Sequence, residues 1–167
     1  CQSRGNMKIQ GILLLMILMM GSPVWAGGGE IYCTDFQGAK VIWENDSFLD
    51  EMTVTRLTFN ATPVIKYNSA KLSSLNATTR EFVMARQCGV HVLGFMVTRA
   101  EDPFDQSNRS QLADCWSAGK LFYGGKASRS DLESLQTAIN SMSRKEWLSF
   151  PGPVRVVDFE SCELKDM

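Results

Sequence analysis

The chain has a single histidine, His91, in 167 residues. A zinc site built on two or more of its own histidines is therefore excluded, and a catalytic triad has no choice of base. Basic residues are not in excess either: 17 Lys and Arg stand against 18 Asp and Glu, for a formal net charge of −1. Without a basic cluster, nucleic acid and anionic membranes are not expected partners. Long apolar runs are missing too. The one extended run, Ile12 to Met20, is well short of the about 20 residues that span a bilayer. Internal repeats and low-complexity tracts are also absent.

Lys8 precedes that run, and Ser22, Pro23 and the small-residue site Val24-Trp25-Ala26 follow it. This is the plan of a secretory signal peptide cut after Ala26, with Met7 as initiator. Residues 1–26 are thus read as upstream extension and signal peptide, and residues 27–167 as one exported domain, periplasmic or secreted. No stable membrane insertion is expected after cleavage. Cys33, Cys88, Cys115 and Cys162 remain, an even number that in an exported chain implies two disulfides. Of the three pairings, the preferred one joins Cys88 to Cys115 and Cys33 to Cys162, the second tying the two ends of the domain together. At about 100° per residue, Cys88 lies on the back of its helix relative to Arg86, so Cys115 has to approach from that side.

Strand-like segments come first: Glu30 to Cys33, Lys40 to Trp43, Met52 to Phe59 and Pro63 to Tyr67, with β-branched and aromatic residues between polar turns. Helical segments follow, an order that predicts an α+β fold with a small strand-rich N-terminal part packed against a helical core. Thr78 with Glu81, Ser130 with Glu133 and Ser143 with Glu146 have capping-box spacing. The expected helices are 79–97, 108–122, 131–142 and a short turn at 144–148, with a polar loop over 99–107. Gly89, inside the first, predicts close approach of another backbone. The closing "PGPVRVVDFESC" is compatible with a helix starting at Pro153 or with a strand.

The stretch "REFVMARQCGVHVLGF", residues 80–95, together with "RSQLADCW" and "PGPVR", resembles the small exported zinc metallopeptidase-like proteins of bacteria, relatives of the gluzincins. In that family one helix carries HExxH and a second carries ExxADCW. Two histidines four apart share a helical face and hold zinc, the glutamate between them acts as base, and a glutamate from the second helix completes the site. An aspartate four residues beyond it supports the first histidine from behind. The resemblance implies a zincin-like domain.

Carried over position by position, the frame is present and the chemistry is not. Arg86 stands at the first zinc ligand, Gln87 at the catalytic glutamate, Val90 at the second ligand and Ser110 at the third. Asp114 is retained, as are Cys88, Gly89, His91, Leu93 and Gly94 on the first helix, Ala113, Cys115 and Trp116 on the second, and Pro151, Gly152, Pro153 and Arg155 in the closing segment. Valine cannot bind a metal, and arginine brings a permanent charge. No catalytic residues, no metal and no cofactor are expected, zinc included. Packing of the helices as in the family would bring Arg86 within reach of Asp114, a guanidinium-carboxylate pair in place of the metal. His91 faces away from that side and is read as an ordinary core or surface residue.

The function implied is that of a catalytically degenerate relative, a pseudoenzyme that binds a peptide or serves as accessory to an envelope protein. Pro63 to Tyr67 is, by analogy, the edge strand that an extended peptide would join. Two other readings stand beside it: a metal-dependent hydrolase with unusual ligands, such as Cys88, His91, Asp114 and Cys115, and a purely structural exported domain. An open groove lined by Gln87, Val90 and Ser110 would count against the last.

Overall fold

The computed structural model describes residues 32–165; the signal-peptide reading lies outside them. Three short strands form a mixed sheet in the order β1-β3-β2. β1 (Ile42–Asn45) runs parallel to β3 (Pro63–Tyr67), and β2 (Thr53–Leu57) pairs with β3 antiparallel. The helices follow: α1 (Ser69–Ser73), α2 (Ala77–Val92), α3 (Pro103–Tyr123), α4 (Arg129–Asn140) and α5 (Arg144–Trp147), with a 3-10 turn at Glu160–Cys162. The fold is α+β, as the segregated order of the sequence predicts.

Pro63–Tyr67 is the central strand, not the edge. Pro63, Val64 and Ile65 are consecutively buried, the pattern of a strand covered on both faces rather than of an edge with one wet side. Proline is tolerated there because it is the first residue of the strand. The edge next to the helices is β2. Among the described residues ahead of β1, an isolated bridge, Thr34 to Lys40, is the only further strand pairing.

Most helices start earlier than the capping-box spacing suggests. Asn76 caps α2 by accepting from the backbone N–H of Thr79, ahead of Thr78. Ser128 and Asp131, rather than Ser130 and Glu133, form the box at α4. Asp102 caps α3 with Pro103 in the first turn, so much of the expected 99–107 loop is helix. That Asp-Pro start was available in the sequence, since proline loses nothing where backbone N–H groups have no helical acceptor. Ser143 with Glu146 caps α5 as expected. The closing "PGPVR" is neither helix nor strand but a bend and an extended run.

α2 is the central element. Its apolar residues Phe82, Val83 and Ala85 join Ala118 and Leu121 of α3 and Leu132, Leu135 and Ile139 of α4 in the main core. A second cluster, Cys33, Val41, Ile65 and Cys88, binds α2 to the sheet. Gly89 admits a side chain rather than a backbone: a Cβ there would stand 3.0 Å from Trp116 Cε3. The indole of Trp116 fills the space and bridges the two clusters.

The disulfides are Cys33–Cys88 and Cys115–Cys162, which corrects the preferred pairing. Cys88 does lie on the back of α2, but that side faces the sheet and the segment carrying Cys33, while Cys115 on α3 turns toward the C-terminal 3-10 turn. The sequence separations are 55 and 47, and loops of that size stabilise by roughly 4 kcal/mol each in the chain-entropy account. Two disulfides are the usage of an oxidising compartment. No helix among the described residues is long and apolar enough to cross a membrane.

Candidate functional site

α2 is buried on nearly all sides, so its polar residues are costly unless partnered. Each reaches a different element. Arg86 Nε donates to Asp114 Oδ1 on α3 at 2.7 Å. Gln87 Nε2 donates to Thr53 on β2, to its carbonyl at 3.0 Å and its hydroxyl at 2.8 Å. His91 Nε2 lies 3.2 Å from the Val64 carbonyl on β3, which assigns the proton to Nε2 because a carbonyl only accepts. In return, Ser117 of α3 donates to the Phe82 carbonyl at 2.8 Å. These bonds fix the rotation of α2 against both the sheet and α3, which non-directional apolar packing alone does not.

The link expected between Arg86 and Asp114 is therefore present, and it has a third member. Arg155 takes Asp114 side-on, Nε to Oδ2 and Nη2 to Oδ1, each at 2.6 Å. Its Nη1 donates to the carbonyls of Pro151 and Pro153, and its guanidinium lies 5.3 Å from the centroid of the Trp147 ring. The closing segment thus acts as a strap that carries Arg155 to the helix pair. Gly152 makes room for it: its φ is +84°, and a Cβ would fall 2.7 Å from Arg86 Nη2. Only glycine meets both demands.

Two guanidiniums share one carboxylate with little solvent. Burial, followed by the neighbouring Arg155 charge, pushes the Arg86 guanidinium below its ordinary pKa, while the charge and hydrogen bond of Asp114 oppose that shift.

Beside this cluster lies an open groove of ≈ 600 Å³. Arg86, Gln87, Val90 and Ser110, the four positions read as an emptied metal site, all line it. β2 forms one wall through Thr53, Val54 and Thr55, and the segment from Trp147 to Val154 contributes to another. Phe95 and Arg109 also face it; sequence reasoning does not single them out because, although they end and begin the two quoted stretches, neither stands at a ligand or base position of the family pattern. Ser110 turns its hydroxyl back to the Gln106 carbonyl.

The lining does not fit a zinc ion. A guanidinium and a valine stand at two of the three ligand positions, and neither offers a lone pair to a metal. The alternative set is not brought together: Cys88 and Cys115 belong to different disulfides, His91 is turned to Val64 and Asp114 to the two arginines. Among the described residues no group of three or more His, Cys, Asp or Glu side chains is placed to hold a metal.

Comparison with protein-family models, curated proteins and solved structures gives no match to this chain.

Proposed function

We propose that this is an exported, periplasmic or secreted, catalytically degenerate relative of the small bacterial zinc metallopeptidases, and that its groove binds an extended peptide or a segment of an envelope protein. The observation that carries the reading is that Arg86, Gln87, Val90 and Ser110 line one groove while the retained Asp114 holds Arg86. Side chains chosen for packing alone would have filled such a space; instead it is open.

The β2 edge supplies the means of binding. Met52 O accepts from Asn68 N, and Thr58 N donates to Thr62 O. Through the register between them, the backbone groups of Thr53, Thr55 and Leu57 point away from β3. Gln87 takes the carbonyl of Thr53, leaving Thr55 and Leu57 to pair with an added strand. Leu148 and Val154, 76% and 68% exposed, give the groove an apolar rim. An open groove and a free edge weigh against a purely structural domain.

Metal analysis of the purified chain, together with retention of randomised hexapeptides on the immobilised chain, tests the proposal. Retained peptides without stoichiometric zinc are expected. Stoichiometric zinc that is lost in His91→Gln or Asp114→Asn would overturn it in favour of a hydrolase with unusual ligands.

A further inference from the structure

Arg86 is 3% exposed, yet it uses only Nε, on Asp114; its two terminal nitrogens have no acceptor among the described residues. Arg155 is in the opposite condition, with all three nitrogens engaged. Two guanidiniums against the single carboxylate of Asp114 leave one positive charge uncompensated, and Arg86 carries it to the groove. Arg109, the other cation facing the groove, is already paired with Asp105. Glu51, the acidic member of the lining, is exposed, where solvent and salt screen it. A nearly dry guanidinium with free N–H groups is a receptor for a carboxylate, which accepts two parallel hydrogen bonds from it.

The direction of β2 then sets which end of a peptide arrives there. Gln87 closes the edge at Thr53, the start of β2, and is adjacent to Arg86 on α2. A strand added parallel to β2 would bring its ammonium end to the two guanidiniums, a like-charge contact. A strand added antiparallel brings its carboxylate end there, and antiparallel pairing is also slightly the stronger. The geometry points to the C-terminal carboxylate of an extended peptide, seated on Arg86 after antiparallel pairing with Thr55 and Leu57, as the group this groove recognises. The inference rests on the peptide-binding reading above and adds the end and the charge of the ligand.

The test uses one randomised hexapeptide pool, N-acetylated throughout, prepared as free acid and as C-terminal amide, and passed over the immobilised, disulfide-bonded full chain. A charge-assisted hydrogen bond is worth about a factor of ten in affinity, so the acid pool should be retained about tenfold more than the amide. Arg86→Gln should abolish that preference while still retaining both pools weakly. Equal retention of the two pools by the unaltered chain, including retention selected by internal Asp or Glu, would overturn the inference and leave peptide binding intact. Retention of neither pool would overturn the peptide-binding reading as well. The acid-amide contrast in the unaltered chain decides the matter even if the Arg86 variant does not fold.

Discussion

Arg155 grips Asp114 side-on, with Nε on Oδ2 and Nη2 on Oδ1 at 2.6 Å, and so neutralises it without help from Arg86. The asymmetry yields a stability prediction. In Asp114→Ala two guanidiniums are left facing each other in a nearly dry site, at a cost of roughly 3–5 kcal/mol. In Arg86→Met the Arg155 pair stays intact and a buried charge is replaced by an apolar chain of similar length, so the change should be about 1 kcal/mol or less. Urea denaturation with the disulfides intact measures both. Equal losses would mean that the cluster is not organised around Asp114.

His91 provides a pH prediction with a single reporter. It is 1% exposed, and its Nδ1 has no hydrogen-bond partner among the described residues. Burial lowers its pKa below the ordinary value of 6.5, with the Val64 carbonyl and then the Asp35 charge opposing the shift. The unfolded chain therefore takes up the proton first. The stability contributed by neutral His91 is fully present above pH 6.5 and is lost as pH falls through the folded-state value. Proton NMR of the imidazole Cε1–H should titrate below 6.5, and the urea midpoint should drop over the same interval. A titration at or above 6.5 would show that the ring is hydrated or paired with a carboxylate.

Disulfide mapping after non-reducing digestion should recover the Cys33–Cys88 and Cys115–Cys162 peptides. Cys33 and Cys88 are buried in the cluster between the sheet and α2, whereas Cys115 and Cys162 are only half-buried. Graded reductant should accordingly open Cys115–Cys162 first, read by alkylation and mass spectrometry. Release of Cys33 and Cys88 first would contradict the burial order.

The parts of this molecule that were legible in the sequence are those fixed by local pattern. The segregation of strands before helices, the central helix around Phe82 to Gly89 and the Ser143–Glu146 cap follow from periodicity and spacing. The Arg86–Asp114 contact was legible only through the family resemblance, which supplied the relative placement of two helices. In sequence Arg155 matches the family frame, but its contact with Asp114 is not legible there, because a segment without regular structure has no periodicity from which to read where its side chains point. The disulfides and the edge strand were misassigned for one common reason. Both depend on contacts between residues far apart in the chain: the disulfide on which face of α2 meets the segment carrying Cys33, and the edge on β1 pairing with β3.

The proposed function implies that α2 and α3 keep the frame of a zinc site whose ligands have been exchanged for a guanidinium and apolar or short side chains. Putting the ligands back tests that implication. The chain carrying Arg86→His, Gln87→Glu, Val90→His and Ser110→Glu together would be purified beside the unaltered chain, its fold checked by circular dichroism and disulfide mapping, and the zinc content of both measured by mass spectrometry. About one zinc per folded molecule of the variant is expected, the occupancy of a site with three protein ligands and an open fourth position, and no stoichiometric zinc in the unaltered chain. A folded variant that takes up no zinc, or an unaltered chain that holds it stoichiometrically, would overturn the proposal.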